Sequence, residues 1–91
     1  MKKNIIGIIG LGYVGLPVSV AFSKKYKVVG YDINSSRVDR LNKYNDTTNE
    51  ISKLNLEKAL TRNLSITDNI NDLKTCNIYI ITVPTPINAD N

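Results

Sequence analysis

IIGLGYVGLPV, Ile8 to Val18, is the stretch on which the reading of this chain turns. Upstream, Asn4 to Ile9 is a short, β-branched and nearly continuous apolar run. Such a run suits a strand buried on both faces, as in a parallel sheet. Downstream, Val14 to Lys25 turns helical, with Val14, Val18, Ala21 and Phe22 at i, i+4, i+7 and i+8 as one expected apolar stripe. Lys24 and Lys25 would close that helix, where cations suit its dipole. Pro17 falls early enough to be tolerated, and it removes a donor that would bond back toward Tyr13.

Between strand and helix, Gly10-Leu11-Gly12-Tyr13-Val14-Gly15 fits G-x-G-x-x-G. Three glycines alone are a weak signal. Here they follow an expected strand and open an expected helix, within a unit of about 30 residues. Each glycine has a separate task in such a turn. Gly10 permits the tight bend, Gly12 lets backbone approach a pyrophosphate, and Gly15 lets the helix sit close to the sheet. The unpaired N–H groups at the helix start, with the dipole behind them, form the anion site.

KVVGYD, Lys27 to Asp32, is a second short strand ending in an acid. Asp32 lies where a carboxylate can accept hydrogen bonds from both adenosine ribose hydroxyls, and it would repel a 2′-phosphate. NAD is therefore expected over NADP. The plainer reading is that Asp32 only caps the next helix or turn. Arg37 follows near the start of that helix. It reads as a solvated surface arginine, or as a group near the adenine edge or a phosphate, which keeps NADP use open.

Asn34, Ser35 and Ser36 offer caps for a helix to about Lys43, with Val38 and Leu41 inward. Asn45 to Asn49 is polar and turn-like; Ser52 caps a further helix to about Thr61, expected to bury Leu54 and Leu60. Leu64 to Thr67 is a short strand, Asp68 to Lys74 a turn or short helical segment, and Asn77 to Val83 a last apolar strand stopped by Pro84 and Pro86. Strands alternating with helices argue for an α/β parallel sheet, and right-handed crossovers place strand 2 beside strand 1. The expected architecture is a partial doubly wound (Rossmann) sheet of about four strands, in the order 3-2-1-4, over a single domain of residues 1–91.

Composition narrows the function. At 42% apolar and 22% charged residues the chain should fold, as one small domain. The basic start MKKN and the apolar run after it mimic a signal peptide, but Gly7 and Gly10 interrupt the run and a small-residue cleavage site is lacking. No apolar run is long enough to span a membrane. The net charge of +4 is scattered without interleaved aromatics, which argues against nucleic acid but suits an anionic small molecule. One cysteine and no histidine leave no disulfide, no multi-cysteine metal cluster and no imidazole base. A single thiol is consistent with a reducing, cytoplasmic setting. Cys76 has no neighbouring base to activate it in sequence and reads as structural.

Three separated pieces, IGLGYVGLPVSVAFSKKYKVVGYDIN, DTTNEIS and NIYIITVPTPI, closely resemble the N-terminal part of the UDP-glucose/GDP-mannose dehydrogenases. The likeness covers essentially the whole chain. The GYVGLP turn and the VPTPI strand end look most like the branch acting on UDP-N-acetylhexosamines. By that resemblance, Gly10, Leu11, Gly12, Tyr13, Val14 and Gly15 match the pyrophosphate loop, Asp32 the ribose acid, and Arg37 a basic position on the adenosine side. Val83, Pro84 and Thr85 match a strand end that lies against the cofactor, and Glu50 matches a recurring acid without an assigned role.

The resemblance implies oxidation of the C6 hydroxymethyl of a UDP-sugar to a uronate with two NAD, through an aldehyde and a cysteine thiohemiacetal, for surface polysaccharide precursors. It implies a parent enzyme that is a homodimer or larger. The family's catalytic cysteine and its helpers lie farther downstream, and Cys76 does not match them. The chain is thus expected to be a fragment, inactive alone, with its fourth strand at an edge and strands 5 and 6 supplied by a longer protein. Two other readings stay open: a nucleotide-sensing regulatory module with no substrate chemistry, and another β-hydroxyacid-type dehydrogenase.

Overall fold

A computed structural model describes residues 4–82 of the chain. Four parallel strands form one sheet in the order β3-β2-β1-β4, the order expected from the sequence. They are β1 (Ile5–Ile9), β2 (Lys27–Tyr31), β3 (Leu64–Thr67) and β4 (Ile78–Ile81). Register places Ile8 of β1 between Gly30 of β2 and Ile80 of β4. Three α-helices, α1 (Gly15–Phe22), α2 (Ser35–Asn42) and α3 (Lys53–Leu60), connect the first three strands, and a 3-10 helix at Ile70–Thr75 precedes β4. Parallel strands cannot be joined by tight hairpins, and these helical segments are the crossovers that such strands require.

Side chains alternate across the strands and build two apolar layers. Ile6, Ile8, Val28, Leu64 and Ile66 join Leu16, Val20, Val38, Leu41, Leu56 and Ala59 of the helices in the larger one. The other face carries a smaller cluster, in which Val29, Leu73 and Cys76 are buried with Ile5, Ile9 and Tyr31 against them. Gly7 makes this second layer shallow, because a Cβ there would come within 3.0 Å of Leu73 and 3.1 Å of the Cys76 sulfur. β4 is the outer strand beside β1, and Ile78, Tyr79 and Ile81 on it are exposed. No helix among the described residues is long and apolar enough to cross a membrane.

Two amphipathic assignments from the sequence need correction. α1 is apolar nearly all round, so its stripe cannot be read from periodicity. The residues it buries are Gly15, Leu16, Ser19 and Val20; Val14 and Ala21 are exposed, and Val18 and Phe22 are half-buried. The helix also stops at Phe22, leaving Lys24 and Lys25 beyond it. Ser19 and Ser23 are buried on this helix because their hydroxyls donate back to the carbonyls of Gly15 and Val20. In α3 the inward residues are Leu56 and Ala59, with Leu60 half-buried, while Leu54 is 60% exposed. Ser52 does cap α3, accepting from the Asn55 N–H at 3.2 Å, but the cap sets a phase that turns Leu54 outward. The expected core positions Val38 and Leu41 of α2 are buried, and Asn34 is its cap, accepting from the Arg37 N–H. Val83, the expected end of the last strand, lies outside the described residues.

Leu41 is fully enclosed and Leu54 is largely solvated. Truncating Leu41 to Ala is expected to lower the unfolding free energy in urea by about 2–5 kcal/mol. Leu54→Ala is expected to change it by less than about 0.5 kcal/mol.

Candidate cofactor site

The carboxyl ends of β1 and β2 open onto a cleft of about 510 Å³ lined by Ile9, Gly10, Leu11, Gly12, Tyr31, Asp32, Ile33, Asn34 and Arg37. In an open parallel sheet this is the edge at which ligands bind, outside the strand ends where the order reverses. Here the reversal lies at β1, with β2 on one side and β4 on the other.

The three glycines are used differently. Gly10 has φ 101°, a conformation that favours glycine, and its N–H donates to the Tyr31 carbonyl at 2.8 Å. At Gly15 a Cβ would overlap the Gly10 carbonyl and the Thr82 hydroxyl, so only glycine lets α1 start this close to the strand ends. At Gly12 a Cβ would meet no protein atom within 4 Å. Its missing side chain therefore serves nothing inside the protein and leaves room in the cleft. α1 begins without a side-chain cap at Val14; the Leu16 N–H donates to the Gly12 carbonyl at 3.2 Å and Pro17 has no N–H, so what the helix start offers the turn is chiefly the positive end of its dipole.

Leu11 is held from three directions. Its side chain is fully buried and covers Gly30, where a Cβ would come within 2.9 Å of Leu11 Cδ2. Its N–H donates to Asp32 Oδ2 at 2.9 Å. Its carbonyl accepts from both Nε and Nη2 of Arg37, at 2.9 and 2.7 Å. Asp32 thus grips the glycine turn from the end of β2, and its Oδ1 accepts the Asn34 N–H at the start of α2. Each Asp32 oxygen accepts one backbone bond and retains acceptor capacity for a diol.

Arg37 corrects one sequence reading of that residue and leaves its place on the cleft wall intact. It is no solvated surface arginine, since its side chain is only 11% exposed, and its charge is not free for a phosphate. Nη1 pairs with Asp46 Oδ1 at 2.9 Å, and the Asp46 side chain is 1% exposed. Asp46 is the buried partner of Arg37, and the sequence reading passed over it as part of a polar turn. Its Oδ1 also accepts the N–H and hydroxyl of Thr48, and its Oδ2 accepts the N–H groups of Glu50 and Ile51. The Asp-Thr-Thr run carried the signal, because an Asp that accepts from the N–H two residues on is a common turn device. The Glu50 side chain is exposed, and its backbone is what joins this loop.

Other sequence candidates fall into place around the cleft. Gly10, Leu11, Gly12, Asp32 and Arg37 line it together; Tyr13 and Val14 stand exposed on the turn beside it, and Gly15 is buried beneath. Val83, Pro84 and Thr85 lie outside the described residues. Thr82, just before them, donates from Oγ1 to the Gly10 carbonyl at 2.6 Å and ties β4 to the turn. Ile33 was also missed: it lines the cleft at 83% exposure, an apolar surface beside Asp32. Cys76 is buried away from the cleft, and burial pushes its thiol pKa up despite a hydrogen bond involving Thr75. Among the described residues no three His, Cys, Asp or Glu side chains gather to hold a metal.

A parallel sheet whose first strand enters a glycine turn at a helix start, with an acid closing the second strand, defines a doubly wound dinucleotide-binding domain. Residues 4–91 match the NAD binding domain of the UDP-glucose/GDP-mannose dehydrogenase family, and the chain belongs to that family. It is 48% identical over 87 residues to UDP-N-acetyl-D-glucosamine 6-dehydrogenase of Pseudomonas aeruginosa, a match covering 96% of this chain and 20% of that protein. It is 47% identical over 91 residues to Protein CapL of Staphylococcus aureus, covering 100% of this chain and 20% of the other. The solved structure of UDP-D-ManNAc dehydrogenase from Pyrococcus horikoshii superposes with a TM-score of 0.85 at 38% identity, over 96% of this chain and 22% of that one. The chain therefore spans about a fifth of the length of the curated relatives it matches.

Asp46 also sets an acid limit on this architecture. Burial by itself would raise its carboxyl pKa, but the hydrogen bonds from Thr48, Arg37 and the Ile51 and Thr48 amides outweigh it and lower the pKa from 3.8 to about 2. A depressed folded-state pKa stabilises the fold above the unfolded value and loses that effect as pH falls through the folded one. The Asp46 contribution is thus complete above about pH 4 and disappears toward pH 2, on the order of 2 kcal/mol. The stability gap between wild type and Asp46→Asn, measured by denaturation, is expected to shrink over that interval.

Proposed function

We propose that the chain is the NAD-binding portion, residues 1–91, of a nucleotide-sugar 6-dehydrogenase that oxidises the C6 hydroxyl of a UDP-N-acetylhexosamine to a uronate with two NAD. The enzyme so formed acts in the cytoplasm, supplies precursors for surface polysaccharide and assembles as a homodimer or larger. The substrate class rests on the similarity to a UDP-N-acetyl-D-glucosamine 6-dehydrogenase along nearly the whole chain. The binding role rests chiefly on one contact, Asp32 holding the Leu11 N–H at 2.9 Å, because it sets a ribose acid against the pyrophosphate turn.

NAD supplies a hydride acceptor when bound; these residues bind and orient it. Gly12 leaves room for the pyrophosphate, the N–H groups of the glycine turn are its donors, and the dipole of α1 stands behind them. Asp32 accepts from the adenosine ribose hydroxyls, and Ile33 offers an apolar wall for the adenine.

Calorimetric titration with NAD tests the assignment. Asp32→Ala removes charge-assisted bonds and is expected to weaken NAD roughly 10–100-fold. Equal affinity of wild type and variant refutes the ribose role. Gly12→Val meets no protein atom at its Cβ and is expected to keep the fold while losing at least about tenfold in NAD affinity. Mixed with NAD and UDP-N-acetylglucosamine, the chain alone is expected to give no NADH absorbance.

A further inference from the structure

The pair formed by Arg37 and Asp46 bears on which dinucleotide the cleft accepts, an inference that rests on the reading of the cleft as an adenosine site. Nearby arginines commonly accommodate the 2′-phosphate of NADP in doubly wound domains. Arg37 stands in the right place, on the cleft wall five positions after Asp32. Its guanidinium, however, has Nε and Nη2 on the Leu11 carbonyl and Nη1 on Asp46. Asp46 is almost fully enclosed and takes five hydrogen bonds in all, so neither partner of the pair is free to swing toward a ligand.

We propose that Asp46 is a specificity-determining residue of the adenosine subsite: by neutralising Arg37 and fixing it on Leu11, it keeps a 2′-phosphate out. The charges support this. Among the described residues, Tyr31, Asp32 and Arg37 are the ionisable side chains on the cleft wall. With Asp46 behind Arg37, two carboxylates face one guanidinium and the subsite is one charge negative. A 2′-phosphate of nearly two negative charges meets Asp32 without a compensating cation. Without the Asp46 charge, Arg37 would offset Asp32, and its Nη1 would be held by a neutral acceptor at most. Asp46 touches no ligand in this account; it acts through Arg37.

The 91-residue chain tests this with NAD and NADP as probes. Asp46→Asn removes the charge and keeps the size, and it is expected to raise the affinity for NADP relative to NAD by roughly tenfold. Asp46→Glu, which restores the charge, is expected to bring the ratio back. A merely structural Asp46 would weaken both dinucleotides together, so a ratio within about twofold of wild type in a folded Asp46→Asn chain that still binds NAD overturns the proposal. The wild type gives an independent measurement should the variant fail to fold. Adenosine 2′,5′-bisphosphate is compared with AMP at rising ionic strength. A negative subsite repels the extra phosphate, so salt is expected to improve the bisphosphate relative to AMP. A loss of relative affinity with salt means that an uncompensated cation faces the 2′ position and overturns the proposal. Wild-type protein that binds no adenine nucleotide overturns the adenosine-site reading and this inference with it, whereas NAD binding with an unmoved ratio overturns this inference alone.

Discussion

The peptide of Leu11 is the point on which the site depends. Its N–H is taken by Asp32 and its carbonyl by Arg37, while its side chain fills the core over Gly30. Two oppositely charged side chains from different elements thus hold the two ends of one residue in the glycine turn. Charge-assisted bonds of this kind are stronger than neutral ones. They fix the turn against β2 and α2, so its backbone is preorganised at the mouth of the cleft.

This clamp is carried outward by less conspicuous contacts. Asp46 holds Arg37 and at the same time gathers the amides that lead into α3. Thr82 holds the Gly10 carbonyl from the β4 side. The turn is therefore fastened to every strand that borders it, and the loop between α2 and α3 is coupled electrostatically to the cleft although it lines none of it. Substitutions in that loop act on the site through one guanidinium.

Much of the fold could be read from the sequence because its signals were local. Gly10 must bend the chain, Asn34 and Ser52 must cap, and Leu64–Thr67 must alternate; each follows from a few neighbouring residues. The strand order followed from the alternation of strands and helices. What escaped depends on partners far apart in the chain. Arg37 looked free because its partner Asp46 and its acceptor Leu11 lie 9 and 26 residues away. The inward face of α1 escaped because a helix apolar on most sides gives periodicity nothing to select; packing against β1, β2 and α3 chose Leu16, Ser19 and Val20. Leu54 was misplaced for a related reason, since an isolated leucine near a cap is compatible with two helix phases.

The shallow second layer has a consequence for the chemistry of the one thiol. Cys76 sits under the same cover as Val29 and Leu73, and Gly7 leaves no depth beneath it. Among the described residues this face has far fewer buried side chains than the one under the helices, and regions with few buried contacts open at lower free energy than the core. Burial raises the thiol pKa and so disfavours the reactive thiolate while the face is closed. Reaction at sulfur then reports the lifting of the 3-10 helix from the sheet, slowed relative to a free thiol by the opening equilibrium of that layer.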